Sequence, residues 1–385
     1  MSKHDFSAEE FADRRLRVRR AIEALGLDWL IAFHPVSIHW LTGSDAKSYQ
    51  EFQCLLVPAG DGPLTVMTRE GEVNEYRDDA LVDEIVGWGG GVSEDPVAAF
   101  ASLARCLGLL QARVGMEVPA YYLHPRHYVQ MKDLLGTALV AEPTNLIADL
   151  KLIKSPAELE YIRRAADIAD TAMDAFAAAL SVGRSELWLA GKVYDALLSA
   201  GSSIAASPIN LVTGTRCGFS HGAPTERILR PGDDVNVEYG AAYRRYTATI
   251  GRQFCLGSPS ALTREVYAVV RAACDACVAA IGGGVPAVVP HEAARRVIAE
   301  AGFARGRVHT SGYGLAPGFP PTWGEPLHML NDSPYTLRAG MVVTVEPPVF
   351  LGAERVGVRI IDNVLVTDHG AQILSRFTRD LVVIE

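Results

Sequence analysis

The sequence predicts a two-domain protein of the mixed α/β (α+β) class. Three observations point to it. Before residue 150, strand-type apolar runs alternate with helix-type periodic runs. At 155–158 a strong helix start, Ser-Pro-x-Glu, opens a long amphipathic stretch. After it, strand pairs at 235–256 and 341–367 alternate with further helix-type runs. A length of 385 residues accommodates such a division.

The first domain is assigned to residues 1–150. Ser7-x-x-Glu10 is a capping box that opens a helix running to about Leu25. The runs 27–33, 52–59 and 63–68 read as strands, the last two joined by a turn with Pro and Gly. Residues 72–81, 97–110 and 125–136 read as helices, with short strands at 113–118 and 139–143. This alternation predicts a small α/β layer. Arg14, Arg15, Arg17, Arg19 and Arg20 alternate with Asp13 and Glu23 on the first helix and read as a solvated face.

The second domain is assigned to residues 151–385. Ser155 and Glu158 form a capping box, with Pro156 at the first helical position. Further helices are expected at 185–200, 262–281 and 291–302. Residues 235–243 and 246–256, with a turn at Arg244–Arg245, read as one strand pair; 341–350 and 357–367 read as a second.

Composition narrows the function classes. The net charge of −9 and the absence of a basic stripe argue against nucleic acid as a partner. No window of 18 apolar residues suggests a membrane span. The first fifteen residues are polar and lack an apolar signal core, so the expected location is the cytoplasm. Six scattered cysteines then read as free and mostly buried. Cys274-x-x-Cys277 lies in an apolar-periodic stretch with no second pair to complete a zinc set, so core packing is the expected role.

Five segments carry a resemblance: FSHGAPTERI (219–228), VNVEYGAAYRRYTATIGRQF (235–254), SGYGLAPGFPPTWGE (311–325), MVVTVEPPVF (341–350) and GVRIIDNVLV (357–366). Together they resemble the creatinase–prolidase–aminopeptidase P family. The resemblance implies a creatinase-like first domain and a C-terminal pita-bread domain, with helices outside a curved, mainly antiparallel sheet. Peptidases of that family hold two divalent ions with two Asp, one His and two Glu. The matching positions here are Glu238, Thr249, Tyr313, Glu346 and Ile361. Two ions about 3.5–4 Å apart need more carboxylate and imidazole than this. The expectation is therefore no metal and no cofactor. The phrases VEYGAAYRRY and Gly-Tyr, Pro-Pro, Trp-Gly-Glu resemble ectoine hydrolases, a metal-independent branch.

The resemblance makes His221, Glu238 and Glu346 the expected catalytic residues. Histidine suits proton transfer near neutrality; the bland alternative is a loop histidine bonded to a backbone carbonyl. Glu238 would be nucleophile or general base, or else half of a structural salt bridge to Arg359. Glu346 would hold a substrate nitrogen or orient His221. Two carboxylates in one cavity repel, so one must take a proton or a cation must sit between them. Tyr313 and Trp323 are expected to line a pocket for a small ring, though Trp323 could simply pack its loop, and Arg359 to brace a carboxylate. His309 and His328 flank that segment as possible supporting groups. Tyr49, Gln50 and Phe52 are expected to close the site across a homodimer.

The resulting expectation is a metal-independent hydrolase of a C–N bond in a small amidine, guanidino or cyclic amide compound. Its substrate would be cationic or zwitterionic. The alternatives are a metal-dependent Xaa-Pro dipeptidase or aminopeptidase, a lyase, and a non-catalytic binding protein on the same scaffold.

Overall fold

The computed structural model describes residues 2–45 and 47–385. The chain divides into two compact units, one ending at Lys151 and the other spanning Leu152–Glu385.

The first unit comprises α1 (Ala8–Ala24), β1 (Trp29–Ala32), α2 (Pro35–Thr42), β2 (Cys54–Pro58), β3 (Thr65–Arg69), α3 (Val73–Asp79), β4 (Glu84–Trp88), α4 (Pro96–Cys106), β5 (Val114–Met116), α5 (Pro125–Leu135), β6 (Leu139–Ala141) and α6 (Leu146–Leu150). Its six strands lie in the order β4-β3-β2-β1-β5-β6. The strand period of two divides their side chains between two cores. Ile31, Cys54, Leu56 and Met67 pack on one face with Phe100 and Met131 from α4 and α5. Leu30, Ala32, Leu55, Val57 and Val66 pack on the other with Val18, Ile22 and Trp40 from α1 and α2.

Two sequence expectations fail here. Helix α2 was not expected, because all eight of its residues are buried and it shows no polar face to betray a helical period. Its start was nonetheless legible: His34 accepts a hydrogen bond from the Val36 amide at 3.2 Å, and Pro35 follows the cap. Arg14, expected on a solvated face, is 2% exposed. Its guanidinium lies 4.3 Å from the Phe6 ring centroid and donates to the Trp40 carbonyl at 3.0 Å.

The second unit holds α7 (Pro156–Ala179), α8 (Glu186–Ser199), β7 (Asn210–Thr213), β8 (Asp234–Tyr243), β9 (Tyr246–Leu256), α9 (Ala261–Ala279), α10 (Val288–Glu300), β10 (Tyr313–Phe319), β11 (Thr322–His328), β12 (Val342–Val345), β13 (Val349–Leu351), β14 (Val356–Val358), β15 (Asp362–Thr367), β16 (Gly370–Ile373) and β17 (Val382–Ile384). Seven strands form a path β16-β15-β12-β10-β9-β8-β7, with β11 paired to β10 and β17 to β9. All pairings but β17 with β9 are antiparallel. One core joins the sheet to α7 and α8; the other joins it to α9 and α10 and takes in Cys274 and Cys277. The segment 311–325, read as a loop around Trp323, lies largely in the β10–β11 hairpin. The strand expected over 341–350 stops at Val345, because Pro347 and Pro348 supply no N–H to a ladder. Val349–Leu351 then pairs with Val356–Val358 in a separate small sheet. Among the described residues no helix is long and apolar enough to cross a membrane.

Candidate active site

Strand β8 shows how the site is aimed. Val235, Val237, Tyr239 and Ala241 pack into the core beneath α7 and α8. The alternate residues Asn236, Glu238 and Gly240 must therefore face the other side. On β9 the same parity sends Ile250 and Phe254 to the helices and Thr249, opposite Gly240, to the far side.

A cavity of about 250 Å³ opens on that side, lined by His221, Glu238, Tyr313, Trp323 and His328, with Ser207, Asn210, Pro321, Thr322 and Gly324. Five sequence candidates thus bear on one place: the first four line the cavity, and Arg359 donates through Nη1 to the Glu238 carboxylate. Glu238 and Arg359 form an ion pair, with the two side chains 8% and 1% exposed. Arg359 also donates through Nη2 to the Ser220 carbonyl at 2.7 Å, which ties down the residue next to His221. His221 sits in the loop between β7 and β8, and burial followed by the Arg359 charge lowers its pKa below 6.5.

Glu346 follows β12 and is 2% exposed. Its Oε1 lies 3.4 Å from His309 Nδ1, and the His309 and His221 ring centroids are 5.6 Å apart. Glu346 thus lies beside His309, which neighbours His221; the sequence reading had it hold a substrate nitrogen or orient His221. Burial, then the nearby Glu238 charge, pushes the Glu346 pKa up to about 8. Burial, then Arg359, pushes that of His309 down to about 4. At neutral pH the site holds one ion pair, a protonated Glu346 and neutral histidines.

Tyr313 begins β10 and Trp323 lies on β11. The Trp323 indole N–H donates to the Tyr313 hydroxyl at 3.0 Å. Burial, then Glu346, pushes the Tyr313 pKa well up. Asn210 and Ser207 were not singled out in the sequence; the pairing of Asn210 with Glu238 across β7 and β8 is what brings it to the cavity.

The first-unit candidates stand differently. Phe52 is 3% exposed and belongs to the core, edge-on to Phe33 at 5.5 Å and to Phe100 at 6.4 Å. This corrects its expected role in closing a pocket: the ring is already enclosed by its own unit. Tyr49 is half-buried with its ring 6.1 Å from that of Tyr122, and Gln50 is exposed.

Residues 160–368 match the metallopeptidase family M24, and residues 14–153 match the creatinase/prolidase N-terminal domain. The chain belongs to the M24 family. It is 31% identical to the Xaa-Pro dipeptidase of Pyrococcus furiosus, over 62% of this chain and 67% of that protein. It is 27% identical to the probable dipeptidase PepE of Mycobacterium tuberculosis, over 100% of this chain and 99% of that one. The crystal structure of dipeptidase PepE from Mycobacterium ulcerans superimposes with a TM-score of 0.85, at 27% identity, covering 98% of this chain and 99% of that one.

These relatives overturn two expectations. They are dipeptidases, not ectoine hydrolases or creatinases. A metal-independent hydrolase of an amidine, guanidino or cyclic amide compound is accordingly the wrong reading, and the alternative of a metal-dependent Xaa-Pro dipeptidase fits the relatives better. Membership places the chain among hydrolases.

The side chains present do not fit the two-ion ligand set that the family resemblance implied. Glu238 is neutralised by Arg359. The Thr249 hydroxyl and amide both point to Asn363 Oδ1, at 3.3 and 2.9 Å. The Tyr313 hydroxyl is bonded to Trp323, and Ile361 packs against Gly251. Among the described residues no group of three or more His, Cys, Asp or Glu could hold a metal ion. No catalytic step is therefore routed through a metal below.

Proposed function

We propose that this protein hydrolyses the peptide C–N bond of a dipeptide-sized substrate, of the Xaa-Pro kind named for its relatives. The observation that carries this reading is the cavity that gathers His221, Glu238 and Tyr313 with Trp323 and Pro321. Its volume of about 250 Å³ is below the roughly 300–1,000 Å³ of drug-sized pockets, which suits a dipeptide and not a longer chain. The indole face and the proline ring form an apolar wall matched to a pyrrolidine.

His221 is neutral at working pH and takes the proton of an attacking water. The water oxygen bonds to the carbonyl carbon as the C=O π pair moves onto oxygen. When that pair returns, the C–N bond breaks and His221 delivers the proton to the leaving nitrogen. Glu238, fixed by Arg359, orients the water. Tyr49 and Gln50 are proposed to close the site of a second copy in a homodimer.

The test is release of proline from Xaa-Pro dipeptides, with and without added divalent cation, alongside a tripeptide series. Dipeptides are expected to turn over and longer peptides to be poor substrates. Failure to cleave any dipeptide under either condition would overturn the reading.

A further inference from the structure

Amide hydrolysis puts negative charge on the carbonyl oxygen, and a positioned donor aimed at that oxygen is the largest single aid an enzyme can offer. Of the neutral polar groups that line the cavity, Tyr313 is fixed for such a task. Its backbone amide donates to Thr344 Oγ1 at 3.1 Å, which anchors the start of β10. At the far end of the side chain, the Trp323 indole N–H donates to the hydroxyl at 3.0 Å. That bond uses a lone pair of the phenolic oxygen and leaves its own O–H to donate. Among the described residues the structure shows no acceptor for this proton. Ser207 and Asn210 also line the cavity, but no hydrogen bond among the described residues fixes either side chain.

Trp323 is itself held in a slot built from two glycines. A Cβ on Gly240 would come within 2.9 Å of Trp323 Cζ3, and one on Gly318 within 3.0 Å of Trp323 Cβ. The indole can therefore lie directly on the backbone of β8 and β10, and its N–H has one direction to point. A donor locked this way needs no reorganisation when charge develops.

We infer that Tyr313 is a catalytic residue whose O–H donates to the oxyanion of the tetrahedral intermediate, and that Trp323 positions it. The inference rests on the amide-hydrolase reading and gives it the charge-stabilising group that the mechanism above lacks. In the reaction the donor binds the oxygen as the π pair arrives and releases it when the C=O bond re-forms, so no proton is transferred and none is left over.

The test uses the full-length protein, with proline release and calorimetric binding as readouts. Tyr313→Phe keeps the ring beside Trp323 and is expected to lower kcat by roughly 10²–10³-fold, the usual cost of one lost oxyanion donor, with KM little changed. Trp323→Phe is expected to lower kcat less, and to lower kcat no further in the Tyr313→Phe background, because its effect on turnover passes through that hydroxyl; any change in KM from its place in the cavity wall should be the same in both backgrounds. A phosphinic dipeptide analogue, which mimics the tetrahedral centre, should bind Tyr313→Phe more weakly than wild type, while the product amino acids bind both alike. Full kcat in a folded Tyr313→Phe overturns the inference and leaves the hydrolase reading standing. An equal effect of Trp323→Phe on kcat in both backgrounds removes Trp323 as the residue that positions Tyr313. Wild-type protein that cleaves no dipeptide overturns both readings together.

Discussion

Arg359 and Glu238 form an ion pair withdrawn from solvent, their side chains 1% and 8% exposed, and the same guanidinium grips the backbone beside His221. The pair thus ties the charge of β8 to the loop that carries the proposed base.

Arg359→Met should be costly because it leaves the Glu238 carboxylate buried without its partner, a change worth about 3–5 kcal/mol in comparable pairs. Adding Glu238→Gln should recover much of that stability without restoring activity. Chemical denaturation of the two variants, read beside turnover, checks both parts.

His221→Ala should lower kcat by about 10²-fold or more, the usual scale for lost acid–base catalysis. The loop is held by Arg359 through Ser220, not through the imidazole, so the unfolding midpoint should barely move. Steady-state kinetics and a thermal melt on the same preparation decide it.

The profile of kcat/KM against pH should be bell-shaped. Its acid limb belongs to His221 and should lie below 6.5, where the neutral base is lost to protonation. Its alkaline limb belongs to Glu346, which gives up its proton near pH 8 and then repels Glu238. Glu346→Gln should abolish the alkaline limb and leave the acid limb in place.

Stability should carry the same signature. The Glu346 pKa is raised from 4.5 to about 8 in the folded state. Below pH 4.5 folded and unfolded chains both hold the proton. Between about 4.5 and 8 only the folded chain keeps it, so stability falls as pH rises through that window and levels off above it. Glu346→Gln should therefore gain stability relative to wild type as pH rises from 5 to 8, as measured by denaturant midpoints.

Much of this was legible in the residues. The segment 235–256 announced the strand pair β8–β9, and Ser155-Pro156-x-Glu158 announced α7. Thr249, Tyr313 and Ile361 stood out as departures from the family's ligand set. Their actual partners were not legible. Asn363 reaches Thr249 from 114 residues away, and the bond from Trp323 to Tyr313 depends on a hairpin that looked like a loop. Phe52 misled because an aromatic residue next to a strand reads alike whether it faces a ligand or its own core. The substrate class was misjudged because missing ligands were taken to mark a different chemistry, whereas the relatives that share the whole chain are dipeptidases.

The odd–even alternation of β8 and β9 also bears on how such a protein changes over time. Side chains that hold the sheet to its helices and side chains that face the cavity occupy interleaved positions on the same strands. A one-residue slip would exchange the two sets, so the apolar set locks the register on behalf of the polar one. Substitutions confined to the cavity parity leave that lock untouched. The scaffold can therefore change a residue of that parity, Glu238 among them, while its fold is held by neighbours that never meet a substrate.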